Sequence, residues 1–249
     1  MTDERRRVAV VLGAGGGIGR ACVDDLARRG FAVVAVGRSA AGSRGDAGSS
    51  EDDAAGFSLD LATAQDGEEL LQFALSTFGR LDALVNAAAV YLPSPSTALT
   101  HASWDETMGP NLRGALLVTS SVARHLAGQG RGRIVQITSI TASVSRGGYG
   151  LYEASKAGLV AASRSMAVEL APRGVTVNCV APGWVRTPMI DGLVQADQRQ
   201  VAELIPVGRV GEPAELAAVV GWLVAESPAY LTGQTITVDG GQTAHTSSL

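Results

Sequence analysis

The architecture of this chain follows first from Val8-Ala9-Val10-Val11-Leu12-Gly13-Ala14-Gly15-Gly16-Gly17-Ile18-Gly19, where an apolar run passes directly into a glycine-rich turn. Five consecutive apolar residues predict a strand buried on both faces, and a helical pattern follows over 18–29. Glycines between a strand and a helix let the backbone approach a pyrophosphate, and the helix N-terminus supplies unpaired N–H groups. The pattern therefore predicts a dinucleotide site with cofactor contacts from Gly13, Gly15, Gly16, Gly17, Ile18 and Gly19. Because no Gly-Lys-Ser/Thr follows, a nucleoside-triphosphate loop is disfavoured.

The rest of the chain alternates short apolar runs with longer helical patterns. Near-continuous apolar strands are typical of a parallel sheet covered by helices on both faces. The predicted fold class is therefore α/β: a single doubly wound Rossmann-type domain over residues 1–249, with a seven-stranded parallel sheet. Strands are predicted over 8–12, 32–36, 57–59, 83–85, 133–137, 175–180 and 235–238, and helices over 18–29, 67–79, 102–127, 152–171 and 213–226.

Two segments depart from this alternation. Residues 39–55 are rich in Gly, Ser, Ala and Asp, which predicts a long surface loop after the second strand. Residues 182–210 follow the sixth strand and carry large apolar side chains, among them Trp184 and Ile205. Apolar residues on a long connection at the C-terminal edge of a parallel sheet predict a substrate lid at about 184–210. Ordinary packing is the alternative interpretation.

Composition narrows the function classes. The net charge of -4 gives no electrostatic argument for nucleic acid or an anionic membrane. The apolar run after the charged N-terminus is too short for a signal sequence, and no later segment reaches the length of a membrane span. Cys22 and Cys179 lie far apart without a C-x-x-C motif, which predicts reduced thiols and a cytoplasmic location. His101, His125 and His245 lack metal-ligand spacing, so no metal site is predicted.

The end of the second predicted strand bears on the choice of dinucleotide. A carboxylate there would bind the adenosine ribose and repel a 2′-phosphate. This chain has Gly37 followed by Arg38, and a guanidinium suits a phosphate through paired N–H donors. NADP(H) is therefore favoured over NAD(H). The alternative is that Arg38 stacks on adenine or points into solvent.

Tyr152 and Lys156 form a candidate acid–base pair. They lie four residues apart on a predicted helix, so phenol and ammonium project from the same face. A free tyrosine has a pKa near 10, and a nearby ammonium favours the phenolate, so we expect Lys156 to lower the pKa of Tyr152. Ser139 lies thirteen residues before Tyr152. Taken alone, this spacing also arises by chance in helices that carry no chemistry.

The glycine loop, Ser139, Tyr152 and Lys156 together resemble the short-chain dehydrogenase/reductase family, and the resemblance covers essentially the whole chain. Further matching segments are Asp60-Leu61, Asn86-Ala87-Ala88-Ala89, Asn111-Leu112-Arg113-Gly114, Pro182-Gly183 with Thr187, Leu231-Thr232-Gly233-Gln234 and Val238-Asp239-Gly240-Gly241.

The resemblance implies catalytic roles for four residues. Tyr152 would be the general acid in reduction or the general base in oxidation. Lys156 would lower the pKa of Tyr152 and hold the nicotinamide ribose. Ser139 would hydrogen-bond the substrate oxygen and stabilise its developing charge. Asn111 would hold a water that links Lys156 to bulk solvent.

The resemblance also implies cofactor contacts. Asp60 and Leu61 would flank the adenine, and Asn86 would lie on the adenosine side. Further contacts would come from the end of the sixth strand, with Val185 and Thr187 reaching the nicotinamide carboxamide or the pyrophosphate beside Pro182 and Gly183.

Three positions depart from the family pattern. Leu12 stands where threonine is usual, and the segment after the fourth strand, 86–89, ends without glycine. Pro110 precedes Asn111. Because proline lacks an N–H and bends helices, we expect it to disturb the helix at the proton-relay residue.

The leading hypothesis is an NADPH-dependent carbonyl reductase acting on a ketone or 3-oxoacyl group. The alternatives are an NAD-dependent secondary-alcohol dehydrogenase and a non-catalytic NADP(H)-binding regulatory protein. Tyr91, Leu92 and Trp184 predict an apolar substrate pocket, and a substrate on an acidic carrier would meet Arg131, Arg133 and Arg173. The many small residues over 157–167 predict a homotetramer, or a homodimer, with closed symmetry.

Overall fold

Seven parallel strands form one sheet in the computed structural model, which describes residues 6–39, 54–190 and 198–244. The strands lie in the order β3-β2-β1-β4-β5-β6-β7, so the sheet is wound outward in both directions from the β1–β4 pair. This confirms the predicted fold class. The strands are β1 (Val8–Leu12), β2 (Ala32–Gly37), β3 (Ala54–Ser58), β4 (Ala83–Asn86), β5 (Gly132–Ile137), β6 (Val175–Pro182) and β7 (Thr235–Val238).

Helices cover both faces of this sheet. Helices α1 and α7 pack on one face, where Leu26 and Leu223 join the core. Helices α2, α4 and α5 pack on the other, where Leu70 and Val122 are fully buried. The helices are α1 (Gly17–Arg28), α2 (Glu68–Phe78), α3 (His101–Met108), α4 (Ala115–Gly128), α5 (Gly150–Leu170), α6 (Gln198–Glu203) and α7 (Pro213–Ala225). Within the described ranges, none is long and apolar enough to cross a bilayer.

The third strand begins earlier than the sequence predicted. Strand β3 pairs with β2 from Ala54 onward, in register with Val33, so the predicted loop over 39–55 is wrong at its last two residues. Ala54 and Ala55 are only half-buried at this sheet edge, and backbone pairing there does not require the apolar side chains that sequence patterns detect. Residues 40–53 of the predicted loop lie outside the described residues.

The predicted helix over 102–127 is broken near its middle. Residues Gly109–Gly114 form a wider π-helical turn between α3 and α4, with Pro110 in its first positions. Proline has no N–H to donate within a helix, and a π turn accommodates the irregular hydrogen bonding by inserting a residue. Gly114 ends the turn against the loop after β3, where a Cβ atom would overlap the carbonyl oxygen of Leu61.

Two glycine-to-alanine variants on either end of α4 test this close approach. We expect Gly114→Ala to lower the free energy of unfolding by about 1–3 kcal/mol, because the new methyl group has no space. Gly128→Ala is the matched control, since nothing lies within 4 Å of a Cβ there. It should leave stability unchanged or raise it by up to about 1 kcal/mol. Urea denaturation measures both, and equal midpoints for Gly114→Ala and the wild type would contradict the packing.

Candidate active site

The loop after β1 and the segment after β4 touch at the point where the strand order reverses. Gly13 has a φ of +77°, in the left-handed region that favours glycine. A Cβ atom on Gly13 would lie 2.6 Å from the backbone nitrogen and Cα of Ala88. Two backbones therefore meet without intervening side chains. Ligands of doubly wound sheets bind in the crevice at this switch point.

The N-terminus of α1 is open toward this crevice. Gly16 occupies the cap position without a side-chain cap, and the first turn contains no acidic residue. Gly15 and Gly16 are exposed, and a Cβ on Gly17 would lie 2.8 Å from Cγ2 of Thr187. The positive end of the helix thus faces a space bordered by the loop after β6. These features fit a dinucleotide pyrophosphate, for which Gly15, Gly17 and Ile18 would provide backbone N–H groups. The Gly16 N–H already donates to the Gly13 carbonyl at 2.9 Å and shapes the turn.

The predicted adenosine-side residues fall into two groups. Arg38 is exposed just beyond the tip of β2, where its carbonyl accepts a hydrogen bond from the Ser58 hydroxyl at 3.0 Å. Asp60 is exposed and Leu61 is buried in the turn after β3. Asn86 differs, because its fully buried carboxamide donates to Oε1 of Gln136 at 2.8 Å and accepts from the Ala88 N–H at 3.2 Å. Its side chain therefore joins the ends of β4 and β5, and the predicted cofactor contact of Asn86 stays a prediction.

The end of β6 borders the same crevice. Pro182 is its last residue, and a Cβ on the next residue, Gly183, would lie 2.8 Å from Cβ of Asp239. Val185 is buried in the core and forms a short parallel bridge with Gly211. Only the backbone of Val185 is therefore available for the predicted cofactor contact, whereas Thr187 lies beside the glycine loop.

Lys156 is buried at the C-terminal end of β5. Its side chain is 2% exposed, and Nζ donates to the Ile137 carbonyl at 2.9 Å. Ser139 lies two residues after Ile137, and its hydroxyl accepts from the Thr141 N–H at 3.1 Å and from the Thr141 hydroxyl at 2.9 Å. Tyr152 lies one helical turn before Lys156 and lines the same cavity as Ser139. The structure thus brings Ser139, Tyr152 and Lys156 together at one edge of the sheet.

The protonation of this group differs from the expectation. Burial raises the pKa of Tyr152 to about 12, and the neighbouring Ser139 hydroxyl offsets this only in part. Burial lowers the pKa of Lys156 to about 8. The predicted lowering of the Tyr152 pKa by Lys156 is wrong, because the pKa is raised. The ammonium is drawn to Ile137 and lies 5.8 Å from the Tyr152 ring centroid, while burial removes the water that would stabilise a phenolate.

Asn111 is fully buried in the π turn. Its Oδ1 accepts from the Val90 N–H at 2.7 Å, and its Nδ2 donates to the Val90 carbonyl at 2.8 Å and to the Ser155 hydroxyl at 3.3 Å. The carboxamide therefore fixes the segment after β4, and both of its N–H groups are used. Pro110 was expected to disturb the helix here, and the helix is indeed interrupted by a π turn. In this turn the Asn111 side chain faces Val90. The predicted water relay stays a prediction.

A cavity of about 410 Å³ opens onto the hydroxyls of Ser139 and Tyr152. This volume lies within the range of small-molecule sites. Its walls are mostly apolar, formed by Ile140, Val144, Trp184, Met189, Ile190, Val201 and Leu204. Tyr91 and Trp184 line it as predicted, whereas Leu92 is 37% exposed and does not. Residues 191–197 of the predicted lid lie outside the described residues.

An aromatic cluster forms the wall beside Tyr152. Tyr91 stacks on Tyr149, with ring centroids 4.1 Å apart and planes within 4°. Tyr91 also presents its ring to Tyr152 at 4.7 Å and 85°. Sequence reasoning missed Tyr149 and its neighbour Arg146. The signal for both was their place between Ser139 and Tyr152, since a segment joining two site residues must border the site.

Comparison with known proteins identifies the family. A family model described as enoyl-(acyl carrier protein) reductase matches residues 13–243. The short-chain reductase protein NovJ of Streptomyces niveus is 36% identical over 245 residues, which cover 94% of this chain and 93% of NovJ. The chain belongs to the short-chain dehydrogenase/reductase family. A further short-chain dehydrogenase/reductase relative, the 3-oxoacyl-[acyl-carrier-protein] reductase FabG of Vibrio cholerae, is 34% identical over 94% of this chain and 96% of its own.

Solved structures agree with this assignment. A gluconate 5-dehydrogenase from Burkholderia cenocepacia, in complex with NADP and tartrate, has a TM-score of 0.90 and 28% identity over 97% of both chains. A putative NAD(P) dependent gluconate 5-dehydrogenase from Beutenbergia cavernae, with bound NADP, has a TM-score of 0.88 and 33% identity over 97% of this chain and 98% of its own. The predicted family, fold and enzyme class, an NAD(P)-dependent oxidoreductase, are confirmed. The described residues contain no group of three His, Cys, Asp or Glu able to hold a metal ion.

The pKa of Lys156 can be measured directly, because Lys156 is the chain's sole lysine. Lysine carrying ¹³C at Cε should give one side-chain resonance, titrating near 8 in the ligand-free protein and not at the ordinary 10.5. Between these values the unfolded chain binds more protons at Lys156 than the folded protein does, so the contribution of Lys156 to the free energy of unfolding should rise with pH.

The free energy of unfolding of the wild type minus that of Lys156→Met should rise between pH 8 and 10. The subtraction removes the opposing contribution of the buried Cys22 and Cys179 thiols, whose pKa values are raised by burial. Above the ordinary Tyr pKa of 10, Tyr152 acts in the opposite direction, because its folded pKa is raised and the folded protein then binds more protons. The comparison is therefore confined to pH 8–10. A resonance midpoint at 10.5 or above would contradict the buried, desolvated ammonium.

Proposed function

We propose that this protein is an NADPH-dependent carbonyl reductase that converts a ketone or 3-oxoacyl group into a secondary alcohol. The observation that carries the proposal is the cavity of about 410 Å³ onto which the Ser139 and Tyr152 hydroxyls open. A carbonyl oxygen in this cavity could contact both hydroxyls, and the mostly apolar walls would exclude water from it.

Tyr152, Ser139 and Lys156 have different roles in the proposed reduction. NADPH, when bound, supplies the hydride. Tyr152 keeps its proton at neutral pH because burial raises its pKa, and it gives that proton to the substrate oxygen. Ser139 donates a hydrogen bond to the same oxygen as its negative charge grows. Lys156, held at the Ile137 carbonyl, adds a fixed positive charge behind Tyr152 and would hold the nicotinamide ribose.

Preference for NADP(H) rests on the tip of β2. Arg38 is exposed there, and its neighbours Gly37 and Ser39 carry no carboxylate. Its guanidinium would bind the 2′-phosphate of the cofactor. The two gluconate 5-dehydrogenase structures named above contain NADP, which supports the same choice. Asp60 and Leu61 would flank the adenine, and the α1 N-terminus would hold the pyrophosphate.

Two features favour reduction over the alternatives. NovJ is named a reductase and FabG a 3-oxoacyl-[acyl-carrier-protein] reductase, so both relatives support the reductive direction. A protonated Tyr152 is a proton donor and would first have to ionise to act as the base of an alcohol dehydrogenase. A purely regulatory protein would not require Ser139, Tyr152 and Lys156 to meet at a cavity.

Two of the arginines that would meet an acidic carrier are engaged within the protein. The guanidinium of Arg131 lies 3.9 Å from the Asp82 carboxylate, and that of Arg133 donates to the Gly132 carbonyl at 3.1 Å. Both arginines thus have partners within the protein. A free small-molecule ketone is therefore the simpler substrate.

We further propose a single domain over 1–249 in which residues 184–210 act as the substrate lid. Trp184, Ile190 and Leu204 line the cavity from both sides of the segment 191–197. The free, buried thiols of Cys22 and Cys179 support a cytoplasmic location. Val168 on α5 is 77% exposed near the small residues of that helix, which supports a homotetramer or homodimer, measurable by light scattering.

Removal of one hydroxyl tests the proton donor. We expect Tyr152→Phe to lower kcat for ketone reduction by about 100- to 10,000-fold, the usual contribution of general acid catalysis. NADPH affinity, measured by fluorescence titration, should change little. Tyr230→Phe is the matched control, since Tyr230 is fully exposed and should keep wild-type rates. Near-full turnover by Tyr152→Phe would refute the assignment.

Charge reversal at Arg38 tests the cofactor preference. Arg38→Asp should lower kcat/KM for NADPH by roughly 10- to 100-fold, because a charge-assisted phosphate contact is replaced by repulsion. The same variant should gain activity with NADH, since a carboxylate suits the ribose diol. Arg124→Asp, on exposed α4 surface, controls for the change in net charge. A wild-type preference for NADH would overturn this interpretation of Arg38.

A further inference from the structure

Arg146 lines the cavity that the Ser139 and Tyr152 hydroxyls face. Its guanidinium carbon lies 4.4 Å from the centroid of the Trp184 ring, a cation–π contact. Its Nη1 donates a long hydrogen bond of 3.5 Å to the Tyr91 hydroxyl. Neighbouring aromatic side chains therefore hold the charged group at the cavity wall.

The carboxylate nearest in sequence holds the backbone of this segment. Glu153, in the first turn of α5, accepts from the Arg146 backbone N–H at 3.0 Å and from the Ser145 hydroxyl at 2.8 Å. Glu153 thereby pins the loop that carries Arg146. Within the described part of the chain, no carboxylate lies within ion-pair distance of the Arg146 guanidinium. The cavity wall thus carries a positive charge with no counter-charge among these residues.

The Arg146 guanidinium is a charged group in a mostly apolar cavity wall. Most of the cavity wall consists of aliphatic and aromatic side chains such as Ile140, Val144 and Trp184, and its other polar side chains, among them Thr141, Ser145 and Gln242, are uncharged. Small-molecule sites are mostly apolar, with a few fixed polar groups that orient the ligand. A guanidinium presents a planar fork of N–H donors that matches the two oxygens of a carboxylate. Its interaction with an anion is also stronger beside apolar walls than in open water.

The distance from this charge to the proton donor is short. Tyr91 accepts from Arg146 through its hydroxyl and packs its ring against Tyr152, with centroids 4.7 Å apart. One tyrosine side chain therefore separates the guanidinium from the catalytic phenol. A ligand with a carbonyl at Ser139 and Tyr152 can reach Arg146 with a second group on a short chain.

We propose that Arg146 binds a carboxylate of the substrate, so that the ketones reduced at this site are keto acids. The inference rests on the proposed function, because it names the substrate class of the same cavity. Arg146 acts here as a specificity-determining residue, and Trp184 and Tyr91 position it.

The test compares charge at constant shape. A homologous series of keto acids, levulinate and its extensions by one and two methylene groups, is assayed with NADPH beside the matching primary amides. The wild type should favour the best acid over its amide by roughly 10- to 100-fold in kcat/KM, the usual effect of a charge-assisted hydrogen bond. Arg146→Leu should remove this preference, so that acid and amide are reduced with similar kcat/KM, and Arg146→Lys should keep part of it.

A binding measurement separates this inference from the proposed function. With NADP⁺ in place of NADPH no hydride is available, so calorimetry reports keto-acid binding without turnover. Arg146→Leu should weaken that binding by roughly 10-fold or more. Arg124→Leu, which removes an exposed charge on α4, should bind like the wild type.

If no acid or amide is reduced, the proposed function fails, and calorimetry still decides the role of Arg146. If amides are reduced as well as acids and Arg146→Leu binds both unchanged, the keto-acid inference is overturned and the reductase proposal stands.

Discussion

The buried hydrogen bond between Lys156 and the Ile137 carbonyl is the contact on which the site depends. Burial of this ammonium is unfavourable, and it lowers the pKa of Lys156. Each pKa unit corresponds to about 1.4 kcal/mol of lost preference for the charged form. The carbonyl at the end of β5 compensates part of that desolvation. Because Ser139 follows Ile137 by two residues, the hydrogen bond from Lys156 to Ile137 also fixes the position of α5 relative to Ser139. Tyr152, one turn before Lys156, then meets the Ser139 hydroxyl.

A second constraint acts on the segment after β4. Gly13 touches the backbone of Ala88 from one side, and the Asn111 carboxamide pairs with both backbone groups of Val90 from the other. Tyr91 is the next residue in the chain, and these contacts position its ring against Tyr152. The cofactor crevice and the substrate cavity are therefore built from one short segment.

The sequence predicted the features that depend on local pattern. Fully buried apolar runs such as Val8–Leu12 identified the strands, and residue order with spacing identified the glycine loop and the Ser139, Tyr152 and Lys156 set. Features that depend on packing were not predictable in this way. The break at Pro110 was suspected, but its π geometry depends on the fit of Gly114 against Leu61. The start of β3 depends on pairing with β2, which needs no apolar signal at a sheet edge.

Side-chain environments were the hardest features to predict. Asn86 and Asn111 are predicted to serve the cofactor and the proton relay, whereas in the structure their carboxamides hydrogen-bond a neighbouring strand and the backbone of Val90. An amide beside a crevice satisfies either role, and only the surrounding atoms decide between them. Arg146 was missed because irregular segments have no periodicity, so composition alone cannot tell a solvated arginine from one resting on Trp184.

The protonation of Tyr152 has a consequence for the direction of reaction. Spacing along a helix reports that a phenol and an ammonium are neighbours, but it does not report how deeply they are buried, and here burial outweighs the neighbouring charge. With a pKa of about 12, forming the phenolate at pH 7 would require about 7 kcal/mol, at about 1.4 kcal/mol for each tenfold step in the equilibrium. Oxidation of an alcohol needs that phenolate as its base, whereas reduction of a ketone starts from the phenol already present. Burial therefore keeps Tyr152 in the phenol form that reduction requires, and the phenolate would need a positive charge close to the Tyr152 hydroxyl.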